Sequence, residues 1–322
     1  MPESLSFHFE GALADDHRMN FYESARFQYA AARLMVKLAQ FRRRGNFSQK
    51  ITSTSNIDIQ LVTQTDGSFN INVEVPDQGP GDDEFVKISV GDLIAYVSER
   101  MIEKIDQQAL QEITPPDRRT RLGSTSDAAL NKLVESAMSG ADMTARLPLL
   151  VQDSVKRRVA EAYRERRLVE NRTAIARIDL ARSQKLISMS APLISEMATA
   201  LRQSAESMEI TQTTGGKSNS ILYLNRQMAA EIETAVVDKE ITPILGDITQ
   251  FNKDNGWGKL KIENGLKIVN FSIPSDILPS MRTTLIDSMQ KDQVYLQTYF
   301  VRDAGGEVVR LIAVGILPTP KE

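Results

Sequence analysis

The beginning of the chain switches between strand and helix patterns. Apolar residues fill every second position from Leu5 to Phe9, which predicts a half-buried strand. Residues 20–44 then carry apolar side chains at helical spacing, with Asn20 as a candidate N-cap and Gly45 as a candidate stop. Helical spacing returns over residues 89–113. This part of the chain therefore predicts a strand and two helices.

Between these two helices the pattern predicts a β-hairpin. Apolar residues alternate over 57–61 and again over 69–75, on either side of an Asp-Gly pair. A three-residue loop with a left-handed glycine pairs Leu61 with Ile71, which brings both apolar rows to one face. Residues 1–115 are therefore predicted to form a β-α-β-β-α domain of the α+β class.

Residues 116–220 have a helical pattern that ends in a glycine-rich connector. Inside it, Pro192 predicts a kink or the start of a new helix. Apolar residues recur every seven positions in a heptad-like seam of Leu180, Ile187, Ile194, Leu201 and Met208. Two interpretations stay open. The seam belongs either to an amphipathic helix that packs on its own chain, or to a coiled coil that joins protomers into a homo-oligomer.

Residues 221–322 predict a helix followed by a small, partly closed β-barrel. The pattern contains three strands, a helix and a final hairpin, over residues 246–252, 257–263, 267–273, 275–290 and 292–317. The predicted fold class is thus α+β. It has an N-terminal domain, a central region of long helices, and a C-terminal barrel with an inserted helix.

Composition excludes several kinds of chemistry. The chain has 322 residues, a net charge of −3, no cysteine, and only two histidines, His8 and His17. Disulfides, cysteine nucleophiles and zinc sites built from several histidines are therefore excluded. No run of about 20 apolar residues occurs, and the N-terminus does not have a signal-peptide pattern. We expect a cytoplasmic protein with no membrane partner and no cofactor.

Two short motifs could carry enzyme chemistry. Residues 211–220 read TQTTGGKSNS, but Thr211 stands where a phosphate-binding loop needs glycine, and the preceding pattern is helical. A flexible connector is the favoured interpretation. Asp15, Asp16 and His17, with Glu10 before them, are the densest group of potential metal ligands. Solvated turn residues are the favoured interpretation there, so no catalytic or metal-binding residue is assigned.

Residues 154–185 predict a basic helix surface. Ten Lys or Arg residues and four Asp or Glu residues give this stretch a local excess of six positive charges. Because arginine dominates, bidentate contact with phosphates is a candidate role, for which Arg157, Arg164 and Arg167 are the chosen residues. The alternative is a solvated face held by ordinary ion pairs along the helix.

One segment resembles the opening of a cold-shock domain. Gly246, Ile248, Phe251-Asn252, the run NGWGKL at 255–260 and Val269-Asn270-Phe271 match that family's first strands. The resemblance implies an OB-type barrel in which Trp257 and Phe271 stack on single-stranded bases. Lys259 replaces the family's second aromatic, and the predicted helix at 275–290 interrupts the family's strand order. Trp257 could equally fill the barrel core. The overall layout also resembles bacterial proteins that have no known activity.

The favoured hypothesis is a non-enzymatic interaction or scaffold protein that self-associates through the seam. The first alternative is a nucleic-acid-binding protein that uses the barrel residues Trp257, Lys259 and Phe271 together with the basic helix. The second alternative is a metal-dependent nuclease or hydrolase at Asp15, Asp16 and His17. A companion protein is a further possible partner.

Overall fold

The structure is a computed structural model of the chain. It describes residues 3–47, 50–53, 56–62, 69–76, 84–103, 125–138, 149–214, 216–234, 236–262, 265, 267–290, 293–302 and 306–318. The protein is a mixed α+β molecule with a closed five-stranded β-barrel in its C-terminal region.

The helices lie mostly in the first two thirds of the chain. They are α1 (Phe21–Arg44), α2 (Val90–Met101), α3 (Thr125–Met138), α4 (Leu149–Glu170), α5 (Arg172–Ile175), α6 (Leu180–Ala198), α7 (Arg226–Thr234) and α8 (Leu278–Ser288). Short 3₁₀ turns cover Ala12–Asp16 and Thr199–Leu201. None of the described helices is both long and apolar enough to cross a membrane.

The strands belong to two sheets. They are β1 (Glu3–Glu10), β2 (Gln60–Val62), β3 (Asn70–Val75), β4 (Ser207–Thr214), β5 (Lys217–Asn225), β6 (Val236–Val237), β7 (Thr242–Phe251), β8 (Trp257–Ile262), β9 (Lys267–Ser272), β10 (Val294–Arg302) and β11 (Val308–Leu317). The first sheet has the order β2-β3-β1-β4-β5, and all of its pairs are antiparallel.

Strand β1 is the centre of the first sheet, and its predicted alternation is confirmed. Leu5, Phe7 and Phe9 are all buried. The rings of Phe7 and Phe9 meet Phe27 of α1 edge-on, with ring centroids 5.3 and 4.9 Å apart. The order β1, α1, β2, β3, α2 is also as predicted. The main core therefore forms between this sheet and the helices that cover it.

Two local predictions in this sheet are wrong. The hairpin pairs Leu61 with Val73, not with Ile71, which shifts the register by two residues; the predicted loop lies outside the described residues. The predicted end of the long helical region and the predicted flexible connector at 211–220 instead belong to the hairpin β4–β5, in which Met208 pairs with Phe9 of β1. The long-range pairing with β1 overrides the local helical pattern, because β4 buries its apolar residues only when it joins the sheet.

The central helices cover the sheet and pack on one another. Helix α6 packs on α1, α2 packs on α4 and α6, and α4 lies against β5. Helix α6 begins after the Asp179 side chain, which accepts a hydrogen bond from the Arg182 amide, and it continues through Pro192. The predicted alternative in which a new helix starts at Pro192 is therefore wrong.

The second sheet closes into a barrel. Five of its six strands follow the order β7-β8-β9-β11-β10, β10 pairs back onto β7, and the short β6 pairs with β10. Among the described strand pairs of this sheet, β9 with β11 is the parallel one. The three strands, the inserted helix and the final hairpin appear as predicted, but the ring of strands is closed, not partly open. Leu260, Phe271 and Leu311 are fully buried inside it.

Polar contacts with the end of α2 hold the barrel against the main core. Arg100 forms a 2.6 Å ion pair with Asp276, and the Ser275 hydroxyl donates to Glu99 at 2.6 Å. The Arg310 guanidinium of β11 donates to the Met101 carbonyl, also at 2.6 Å. The charged residues of these contacts are buried, so the barrel is a fixed part of the molecule.

Candidate nucleic-acid interface

The outer surface of β8 and β9 forms a basic face. Strand β8 buries Leu260 and Ile262 and leaves Lys259 and Lys261 accessible between and beside them. Strand β9 buries Val269 and Phe271 in the same alternating way. The accessible set, which we call the β8–β9 face, consists of Lys259, Lys261, Lys267, Ile268 and Asn270. The alternation places Lys259, Lys261, Ile268 and Asn270 on the outside of the barrel, whereas Lys267 is accessible because it lies at the start of β9.

Strand pairing brings the members of the β8–β9 face together. Lys259 is opposite Asn270, and Lys261 is opposite Ile268, whose side chain is 59% exposed. Lys267 forms a 3.3 Å ion pair with Glu307. Because the Glu307 side chain is highly exposed, this ion pair contributes little to stability. The β8–β9 face thus has two lysines of β8 beside an exposed apolar side chain of β9, with Lys267 at the strand end.

The predicted stacking residues do not lie on this face. Phe271 is fully buried inside the barrel, where its ring is parallel to that of Phe251 at 6.2 Å. Trp257 is 4% exposed, and the Lys259 ammonium lies over its ring, 5.4 Å from the ring centroid. A Cβ at Gly258 would stand 2.3 Å from the Phe271 ring. The sequence NGWGKL therefore serves barrel packing and leaves Lys259 as the accessible member.

The chosen arginines of α4 bind partners inside the protein. Arg167 makes a bidentate contact with Asp92 of α2, from its Nε at 2.8 Å and its Nη2 at 2.9 Å. This hydrogen bond is the main cause that raises the pKa of Arg167. Arg157 donates from Nη2 to the Glu103 carbonyl at 2.8 Å.

Arg164 is 4% exposed and lies deeper in the protein than Arg157 and Arg167. It donates to the Ile221 carbonyl of β5 at 3.1 Å, and its Nε lies 3.6 Å from Glu99. Nearby on α4, Arg158 forms a 2.9 Å ion pair with the buried Glu161. Much of the positive charge counted along α4 is thus used to join helices and sheet, and these arginines are not a free surface.

The heptad-like seam lies in the core of its own chain. Leu180 is 48% exposed, whereas the other four members are 0–2% exposed. Ile187 and Ile194 belong to α6, Leu201 to the 3₁₀ turn after it, and Met208 to β4, so the row does not follow one helix. In the structure the seam residues thus pack within their own chain, which is the first of the two interpretations.

The two enzyme-like motifs have structural roles. Residues 211–220 span the tip of the β4–β5 hairpin, where Gly216 has a φ of 78° and Lys217 pairs with Thr214. An antiparallel hairpin, with no helix after the glycines, is not a phosphate cradle. Asp15 accepts a 2.7 Å hydrogen bond from the Gly11 amide. Among the described residues, no three His, Asp or Glu side chains are grouped as metal ligands.

A titratable cluster at the end of β1 was not predicted. His8 Nε2 lies 3.1 Å from Glu10, which also pairs with Lys156 of α4, and His8 Nδ1 contacts Asn70. The hydrogen bond from His8 is the main cause that lowers the pKa of Glu10 to about 2, and the same bond raises the pKa of His8. The spacing of His8 and Glu10 on one face of a strand was the available signal.

Comparison of the chain with protein-family models, with curated proteins and with solved structures finds no match. The β8–β9 face therefore stands on its own geometry. Sequence reasoning chose Lys259 but missed Lys261, Lys267, Ile268 and Asn270. The signal was present, because lysines alternate with apolar residues from 259 to 262.

Proposed function

We propose that this protein is a non-catalytic binding protein for single-stranded nucleic acid and that the β8–β9 face is its binding surface. The observation that carries the proposal is the place of Lys259 and Lys261 on the outer side of the second barrel strand, beside the exposed Ile268 of the third. The outer surface of strands 2 and 3 is the side that OB-type barrels use for oligonucleotides.

The strand order supports an OB-type assignment. Counted along the barrel, β7 to β11 pair in the order 1-2-3-5-4, strand 4 closes onto strand 1, and strands 3 and 5 are parallel. Helix α8 lies between strands 3 and 4. The loop between strands 1 and 2, another binding element of such barrels, carries the exposed Lys253.

The burial of Trp257 and Phe271 determines the expected mode of binding. Because these rings are not on the surface, base stacking contributes little to the binding free energy. The affinity comes from lysine contacts with phosphates. Ile268 supplies one apolar contact for a base. Binding of this kind tolerates sequence changes and weakens steeply with salt.

A charge-reversal experiment tests the proposal. Fluorescence anisotropy measures binding of labelled oligothymidylate to the wild type, to Lys259→Glu/Lys261→Glu, and to a matched control. The control is Lys217→Glu/Lys239→Glu, which makes the same charge change at two exposed lysines outside the barrel face. We expect binding to fall by about tenfold or more only in the β8–β9 variant. Equal losses in both variants, or no binding at low salt, contradict the proposal.

A second candidate function is self-association, for which α1 offers a surface in place of the buried seam. Phe21, Tyr22 and Tyr29 are 88%, 68% and 62% exposed in its first turns. Arg26 and Arg33 lie over the rings of Tyr22 and Tyr29, at 5.6 and 5.2 Å. Tyrosine and arginine are the residues most enriched at the centres of interfaces.

Sedimentation velocity tests this second candidate. We expect the wild type to sediment as more than one chain, Tyr22→Ser/Tyr29→Ser to sediment as one chain, and the control Leu61→Ser, at a 66% exposed leucine of β2, to behave as wild type. A wild type that is a single chain at micromolar concentration contradicts it.

A further inference from the structure

A cavity of about 310 Å³ lies where the barrel meets the helices. The ends of α2 and α7, the face of α4, and strands β10 and β11 enclose it. Its apolar lining consists of Met101, Ile102, Met228, Ile232, Val301 and Val309. This volume is at the lower end of the range for small-molecule pockets, which is about 300–1,000 Å³.

Two arginines also line this cavity, Arg157 from α4 and Arg310 from β11. Arg310 is 6% exposed, and its Nη2 donates to the Met101 carbonyl. Its Nη1 has no hydrogen-bond partner among the described residues. Within that part of the chain, neither guanidinium forms an ion pair with a carboxylate. One buried and one half-buried guanidinium therefore border the cavity, and the unpartnered Nη1 of Arg310 is costly to bury unless an acceptor joins it.

The electrostatic environment agrees with this geometry. Burial lowers the pKa of Arg310 and that of Arg157, and the Arg157 guanidinium further lowers the pKa of Arg310. Glu103 and Glu231 also line the cavity and act in the opposite direction. The cavity therefore combines an apolar wall, which includes Met228 and Ile232 of α7, with a polar corner that holds both arginines.

We propose that this cavity binds a small amphipathic anion, with a carboxylate or phosphate head beside Arg157 and Arg310 and an apolar body against Met228 and Ile232. The head accepts a hydrogen bond from the unpartnered Nη1 of Arg310, and the body removes apolar lining from water. This site is formed by β10 and β11 and the helices, away from the β8–β9 face. It is therefore independent of the proposed nucleic-acid function.

Calorimetric titration with three six-carbon probes tests the site. Hexanoate and hexyl phosphate carry the two candidate heads, and hexanol has the same body without charge. We expect at least one anion to bind about tenfold or more tightly than hexanol, because a charged partner is worth more than a neutral one. The stronger of the two anions identifies the head that the site prefers.

Two variants locate the binding. Val309→Trp fills the rim of the cavity without changing charge, and Val169→Trp is its matched control, because these valines are 49% and 50% exposed and Val169 does not line the cavity. We expect only Val309→Trp to abolish anion binding. Arg157→Gln removes one guanidinium and should reduce the preference for hexanoate over hexanol.

Three results would overturn the proposal. They are the absence of binding by both anions at millimolar concentration, equal affinity for hexanol and the anions, and unchanged binding in Val309→Trp. Circular dichroism of each variant establishes that it is folded before it is titrated. If Val309→Trp does not fold, the anion preference in Arg157→Gln decides, and an unchanged preference refutes the site.

Discussion

The ion pair between Arg100 and Asp276 offers a quantitative test of how the barrel is held. The two side chains are 4% and 6% exposed, and their nitrogen and oxygen atoms are 2.6 Å apart. Arg100 also donates to the Tyr96 carbonyl at 3.1 Å and lies 3.6 Å above that tyrosine's ring. The substitution Arg100→Met keeps much of the side-chain volume and leaves the Asp276 carboxylate buried without this cation.

The expected cost follows from burial. Removing one partner of a buried ion pair costs about 3–5 kcal/mol, because the remaining charge is left uncompensated. The pair between Arg202 and Glu233 has the same 2.6 Å separation, but the Arg202 side chain is 59% exposed. Arg202→Met should therefore cost about 0–1 kcal/mol. The two substitutions are chemically identical and differ in environment.

Urea unfolding measures both variants. The fluorescence of Trp257, the one tryptophan of the chain, reports on the barrel, and far-UV circular dichroism reports on the helices. We expect Arg100→Met to lower the unfolding free energy by several times more than Arg202→Met does, with the larger effect in the Trp257 signal. Equal costs in the two variants would refute the argument that this buried contact fixes the barrel.

Three further changes test other parts of the structure. Gly258→Ala should cost about 1–3 kcal/mol in urea unfolding, because the added Cβ would stand 2.3 Å from an aromatic ring of β9; an unchanged midpoint contradicts this. Arg167→Gln should lower stability by about 1–3 kcal/mol through loss of its contact with Asp92 and leave oligonucleotide affinity unchanged; reduced affinity in the folded variant would restore α4 as a binding surface. The raised pKa of His8 means that its pair with Glu10 contributes fully below pH 6.5 and is lost as pH rises through the folded-state pKa. The melting temperature should therefore fall as the pH rises through the folded-state pKa of His8. The variant His8→Gln should not show this fall, and a pH profile of the melting temperature identical to that of the wild type contradicts the account.

Elements with local signals were predictable from the sequence. Helix α1 begins and ends where its caps stand, because the Asn20 side chain accepts from the Tyr22 and Glu23 amides and Gly45 has a φ of 63°. The barrel strands followed from alternation and turn residues. In both cases the information lies within a few neighbouring residues.

Elements that depend on distant partners were not predictable. Residues 207–210 follow directly on a run of helical spacing, and β4 forms by pairing with β1, about 200 positions earlier in the chain. Arg167 and Asp92 are 75 positions apart, so no local pattern shows that the arginine is already bound. Trp257 is 4% exposed, and this burial likewise does not follow from its neighbours in the sequence.

The salt dependence of oligonucleotide binding tests the central proposal most directly. Each lysine that contacts a phosphate of a single strand adds about 0.7 to the slope of log affinity against log salt concentration. If Lys259 and Lys261 each contact one phosphate, Lys259→Ala/Lys261→Ala should have a slope shallower than that of the wild type by about 1.4. A slope identical to that of the wild type would show that the β8–β9 face is not where the nucleic acid binds.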